Sequence, residues 1–153
     1  MTLRTTFIVG FPGESEQDVD ELVSFVRDTG FDHVGVFTYS HEEGTRAYAM
    51  TDDVPARVKT RRRARVMQAQ QDVVAARREA QIGSVVRVMI DGLSPESDLV
   101  LTGRLEGQAP DIDSVVILSE CDPSTFVPGT VVEARIVGSS DYDLVAAPLP
   151  VTA

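Results

Sequence analysis

The first residues able to do chemistry lie between Thr5 and Glu14, where a short apolar run stops at a Gly-Phe-Pro-Gly turn. Ser15 follows as a helix N-cap with Asp18 three residues on, the pattern that opens a helix. Strand, glycine turn and helix make half of a βαβ unit, and the loop at a strand's carboxyl end is where α/β folds hold ligands. A ligand-binding turn and a purely structural βα turn are both open on this spacing. Other chemistry is thin. One cysteine, Cys121, excludes an internal disulfide and any cysteine-ligated cluster or zinc site built by this chain alone, and reads as an unreactive loop thiol. His33 and His41 have no cysteine or second histidine at ligand spacing, so no metal site is expected. No nucleophile elbow, Walker loop or dinucleotide fingerprint is present.

The elements around that turn follow from periodicity. Val19, Leu22, Val23 and Val26 fall on one face of a helix expected from Glu16 to about Thr29, with Gly30 as its stop. His33 to Thr38 reads as a second short buried strand, and the connection is long enough for a parallel crossover. Such a unit is incomplete by itself: its strands lack outer neighbours, and one helix covers one face only. A polar loop runs from Tyr39 to Asp53. Pro55 then opens a helix expected to reach Ile82, with Val66, Met67, Val73, Val74 and Ala80 as a stripe. Its arginines, Arg61, Arg62, Arg63 and Arg65, fit a solvated face that steadies acidic neighbours, or a nucleic-acid contact.

After Gly83 the pattern changes to β. Five short strands are expected at 85–90, 99–104, 115–118, 131–137 and 142–145, separated by turns such as the one at Asp91-Gly92, which points to a small barrel of the OB type. The net charge of −10 is spread unevenly. Residues 1–54 carry 3 Arg against 11 acids, residues 55–82 carry 8 Lys/Arg against 2, and residues 83–153 carry 3 Arg against 11. Acidic, basic and acidic blocks suggest two folded parts joined by a basic linker helix. No apolar run approaches the roughly 20 residues of a membrane span and no leader opens the chain, so a cytoplasmic protein is expected.

The stretches Ile8-Val-Gly-Phe-Pro-Gly-Glu14, Val34-Gly-Val-Phe-Thr-Tyr-Ser40 and Glu43-Gly-Thr45 resemble the last strands of a radical S-adenosylmethionine barrel of the methylthiotransferase family. The terminal barrel resembles that family's TRAM domain. Asp53-Val-Pro55, Gly103-Arg104, Ala109 to Asp113 and Asp141 to Leu144 are most similar to the RimO-type branch. That branch methylthiolates an aspartate of small-subunit ribosomal protein twelve; its sister branch modifies adenosine in transfer RNA. The resemblance implies an α/β chain with three parts: the C-terminal part of a radical-SAM (β/α) barrel over 1–54, the linker helix over 55–82, and a five-stranded TRAM barrel over 83–153.

For cofactors, the resemblance implies S-adenosylmethionine and two [4Fe–4S] clusters in the parent enzyme. The family's cysteine triads have no counterpart beside Cys121, so this chain is expected to be a C-terminal fragment, inactive alone. Ile8, Gly10, Phe11, Pro12, Gly13 and Phe37 match positions on the adenine side of the cofactor, with core packing as the alternative for Ile8 and Phe37. The family pattern has glycine where this chain has Thr6, which leaves Glu14 to order the turn.

Charge bears on the substrate. A TRAM barrel that binds RNA should be basic, whereas this acidic one suits a basic ribosomal protein. Arg104, Asp111, Asp113, Asp141 and Asp143 are the candidate substrate residues; turn-capping acids and an internal ion pair for Arg104 are the alternatives. Three other readings stay open: the sister transfer-RNA enzyme, a stand-alone module binding a basic protein, and an RNA module using the linker helix.

Overall fold

The computed structural model describes residues 2–110, 112–140 and 143–150. The chain divides into two compact units, one through residue 74 and one from residue 75. In the first unit β1 (Arg4–Val9) and β2 (His33–Thr38) pair in parallel, with Thr6 opposite Gly35 and Ile8 opposite Phe37. The crossover is α1 (Glu16–Thr29), which begins at a full capping box between Ser15 and Asp18 and ends at Gly30 in the left-handed region. Val9, Val19, Val26, Phe31, Val34 and Val36 form its core.

A long helix, α2 (Ala56–Gln81), contributes Val66 and Ala69 to that core from its first half, with Met67 packed alongside. Val73 and Val74 are only half-buried and Ala80 is exposed, so the expected apolar stripe does not run the length of the helix. Polar and charged side chains fill the remaining buried positions of this half: Lys59, Arg62 and Gln70.

The second unit is a closed five-stranded barrel. Its strands are β3 (Val85–Ser94), β4 (Ser97–Arg104), β5 (Val116–Leu118), β6 (Val131–Ser140) and β7 (Asp143–Pro148), in the order β3-β4-β5-β7-β6. β5 and β7 pair in parallel and the other neighbours are antiparallel. Residues two apart on each strand turn inward, and Val88, Ile90, Leu101, Val116, Leu118, Ala134, Ile136, Leu144 and Ala146 fill the interior.

One expected turn is instead part of a strand. Asp91-Gly92 continues β3 through a register shift between Ile90 and Gly92, with φ of 134° at Gly92; glycine absorbs the irregularity and the chain reverses after Ser94. A Cβ at Gly103 would lie 2.5 Å from the Met89 carbonyl oxygen, so this β4 position accepts only glycine at its close approach to β3.

Candidate functional site

Both loops that leave the carboxyl ends of β1 and β2 belong to the first unit. The turn after β1 is held from inside. The Gly10 N–H donates to Glu14 Oε2 at 2.6 Å, the Glu14 N–H to the Phe11 carbonyl at 2.9 Å, and the Gly13 N–H to Asp53 Oδ1 at 3.0 Å. An anion-binding turn presents free N–H groups; these three are already taken. Glu14 also accepts from Arg62 Nη1 at 2.7 Å, and Arg62, 5% exposed, reaches the Glu14 carbonyl and Glu16 as well. Burial pushes the Arg62 pKa down, but the hydrogen bonds it donates to Glu16 and Glu14 outweigh this and leave it raised. Arg62 hydrogen bonding in turn holds the Glu16 carboxyl below its ordinary range, with Arg61 adding to the effect.

Arg61 and Arg65 also pair with Glu16, Arg65 reaches Asp20, and the Arg63 Nε donates to the Val36 carbonyl at 2.9 Å. The basic run of α2 is therefore spent within its own unit. Lys59, also buried, donates to both Asp52 oxygens at 2.7 Å and sits 4.9 Å from the centre of the Tyr39 ring. Gly10 lies against it: a Cβ there would be 2.4 Å from Lys59 Cγ, and φ is +77°. Glycine at this position is set by backbone and packing, which the turn pattern in the sequence only hinted at.

The residues expected on the cofactor side separate into two groups. Ile8 and Phe37 are register partners and both are open within this chain, at 59% and 63% exposure. Thr6 and Gly35 precede them on the same face, because strand residues two apart share a side. Gly10 and Pro12 are buried, Gly13 is exposed but hydrogen-bonded to Asp53, and Phe11 is exposed at 42% with its ring edge on Tyr39. The Ile8–Phe37 face is open and apolar, chemistry that suits the face of an aromatic ring. A [4Fe–4S] cluster does not fit this chain's own donors: such a cluster is held by several cysteine thiolates, and there is one cysteine. No group of three or more His, Cys, Asp or Glu among the described residues could hold a metal ion. Cys121 is half-buried, and burial, aided by Asp122, raises its thiol pKa, which keeps it protonated.

On the barrel, Arg104 pairs with Asp91 and also donates to the Met89 sulfur at 3.2 Å. Asp113 accepts from the Ala109 N–H at 2.6 Å and Asp143 from the Val115 N–H at 2.9 Å. Arg104 and Asp143 thus tie neighbouring segments of the barrel together, and Asp113 closes its own loop. Asp111 and Asp141 lie outside the described residues. Among the described residues, no helix is long and apolar enough to cross a membrane.

Residues 82–149 match the TRAM domain family model. The chain is 43% identical over 146 residues to ribosomal protein uS12 methylthiotransferase RimO of Syntrophobacter fumaroxidans, covering 95% of this chain and 32% of that protein. It is 44% identical over 142 residues to the RimO of Symbiobacterium thermophilum (93% and 29%), and 46% identical over 145 residues to that of Syntrophotalea carbinolica (95% and 31%). The chain spans about a third of the length of these curated relatives.

Proposed function

We propose that this chain, a homologue of the RimO-type uS12 methylthiotransferases over nearly its whole length, acts as the cofactor-facing and substrate-recognising segment of a radical enzyme that methylthiolates an aspartate of ribosomal protein uS12. The observation that carries this reading is the agreement between that homology and an apolar strand face left open at Ile8 and Phe37. In this reading β1 and β2 belong to a radical-SAM barrel, and the face away from α1 looks into it. In the longer enzyme S-adenosylmethionine and an iron–sulfur cluster would supply the radical chemistry that no side chain can perform unaided; this chain would contribute Ile8 and Phe37 to the cofactor's adenine side.

This chain's own residues do three things in that setting. Ile8 and Phe37 offer an apolar wall to the adenine and exclude water from it. The Glu14–Arg62–Glu16 network fixes the turn that follows the wall. The TRAM barrel, with 3 Arg against 11 acids from residue 83 on, repels RNA phosphates and attracts a basic protein. Its exposed acids, including Glu96, Asp98 and Glu106, join Asp111, Asp113, Asp141 and Asp143 as the field that steers uS12. The protein works in the cytoplasm, where its ribosomal substrate is, and this chain alone, with no cluster ligands, is inactive.

The test is a chimera in which this chain replaces the aligned third of the Syntrophobacter fumaroxidans relative. Mass spectrometry should find one methylthio group on a uS12 aspartate. A chimera that modified transfer RNA and left uS12 unchanged would overturn the reading in favour of the sister activity, which the acidic barrel argues against.

A further inference from the structure

Beyond the strand face, the loop after β2 builds an ordered row of rings on the outside of the first unit. Phe11 meets Tyr39 at 5.2 Å between centroids, Tyr39 meets His41 at 6.2 Å, and His41 lies 4.7 Å from Tyr48. The row is tied by the Tyr39 hydroxyl to His41 Nδ1 at 3.3 Å and by the Tyr48 hydroxyl donating to Glu43 at 3.4 Å. None of the four rings belongs to the core cluster of this unit, and Phe11 and Tyr48 are 42% and 44% exposed. Open aromatic faces take either nucleobases, by stacking, or cations, by attraction to the ring quadrupole.

Charge decides between the two. Between Tyr39 and Asp53 the loop carries Glu42, Glu43, Asp52 and Asp53 against Arg46 alone. Asp52 is neutralised by Lys59 and Asp53 is used by the Gly13 N–H. Glu42 and Glu43 are exposed at the rim of the row with hydroxyl donors, from Ser40 and Tyr48, as their partners. The nearby arginines of α2 that form ion pairs, Arg61, Arg62 and Arg65, are committed to Glu14, Glu16 and Asp20. A phosphate chain laid on the rings would meet two carboxylates, while a lysine or arginine would meet carboxylates and ring faces together. The row already holds one cation this way, Lys59 over Tyr39.

We propose that Phe11, Tyr39, His41 and Tyr48, rimmed by Glu42 and Glu43, form a docking strip for a cationic peptide segment of the protein substrate. The proposal rests on the reading above in taking that segment to belong to a protein that lies on RNA, and so carries the basic side chains such binding needs. It places the first recognition of that segment at the carboxyl end of β1 and β2, beside the Ile8–Phe37 face.

The chain itself is the test material. A labelled short Lys/Arg-rich peptide is titrated by fluorescence anisotropy at low and high salt, alongside its Glu-substituted counterpart and a single-stranded RNA of equal length. The cationic peptide should bind and weaken as salt rises, while the acidic peptide and the RNA should not bind. Tyr48→Ala should weaken binding about three- to fivefold and Glu43→Gln about two- to threefold. Glu79→Gln, at an exposed position of α2 outside the strip, should leave it unchanged. These side chains are exposed, and unchanged thermal melting shows that each variant is folded; Tyr48→Phe, which keeps the ring, should retain most of the affinity. RNA binding as tight as the peptide's, or equal peptide affinity in wild type, Tyr48→Ala and Glu43→Gln, would overturn the proposal. A chimera that methylthiolates uS12 while the strip variants bind the peptide normally defeats the strip alone; strip-dependent peptide binding with uS12 unmodified defeats the enzymatic reading alone.

Discussion

Arg62 Nη1 lies 2.7 Å from Glu14 Oε2, and the same carboxylate oxygen accepts the Gly10 N–H at 2.6 Å. One buried ion pair thus joins α2 to the turn that follows β1. Removing one member leaves the other buried and uncompensated, which costs about 3–5 kcal/mol. Arg62→Ala should lower the thermal midpoint of the chain steeply, and Arg62→Lys should recover only part of the loss, because an ammonium cannot reach the Glu14 carbonyl, Glu14 and Glu16 in the guanidinium's fork geometry. Urea unfolding of the two variants measures the difference; equal stability of wild type and Arg62→Ala would show the pair to be dispensable.

The acid limb of stability should depend on Glu16 and Asp18. Arg62 hydrogen bonding lowers the Glu16 pKa, and hydrogen bonds from the Ser15 backbone and side chain lower that of Asp18. Folded-state values below the unfolded ones mean that the unfolded chain binds protons more readily. The contribution is therefore complete above the ordinary carboxylate value of about 4.3 and is lost as pH falls through the lowered folded-state values. Glu16→Gln should flatten the fall of the melting temperature below that pH. An unaltered acid slope would contradict this assignment.

Gly10→Ala combines a left-handed backbone with a Cβ set 2.4 Å from Lys59 Cγ. The backbone term is about 1–2 kcal/mol and the overpacking about 1–3 kcal/mol. Measured against Lys59→Ala alone, which carries the loss of the Asp52 pair, the Gly10→Ala, Lys59→Ala double variant relieves the Cγ contact and leaves chiefly the backbone term. Melting temperatures of single and double variants separate the two contributions.

In the barrel, Gly103→Ala places a methyl against the Met89 carbonyl and Val88 Cγ1, at 2.5 and 2.6 Å. Backbone on a paired strand cannot swing aside as a flexible side chain does, so a loss of about 3 kcal/mol is expected, at the upper end for overpacking. Chemical denaturation of the variant checks it.

Much of the fold was legible because its signals are local. The Ser15–Asp18 box, the α1 stripe and the alternation that fills the barrel lie within a few residues of the positions they determine. The open strand face was legible in part, since two strands and one crossover helix leave a side uncovered. The sequence does not say which arginine of α2 is buried: Arg62 becomes the internal one only because α1 and the preceding turn bring Glu14 and Glu16 to it across 48 and 46 residues. Lys59 is hidden for the same kind of reason, behind a glycine whose bareness makes the room. Arg104, Asp113 and Asp143 were legible as polar residues at segment ends, but the partners of Arg104 and Asp143 on neighbouring segments were not. Asp91-Gly92 misled because a glycine that permits a bulge and a glycine that makes a turn look alike in one dimension.

Ile8 and Phe37 share one open face of the β1–β2 sheet. Both side chains are open and belong to no core cluster, so Phe37→Asp should leave the unfolding free energy of this chain within about 1 kcal/mol of wild type. The most direct measurement is equilibrium dialysis of S-adenosylmethionine against the chimera described above, with and without Phe37→Asp. Loss of cofactor binding at unchanged stability is the expected result. Undiminished binding in the Phe37→Asp chimera would contradict the assignment of this face to the cofactor.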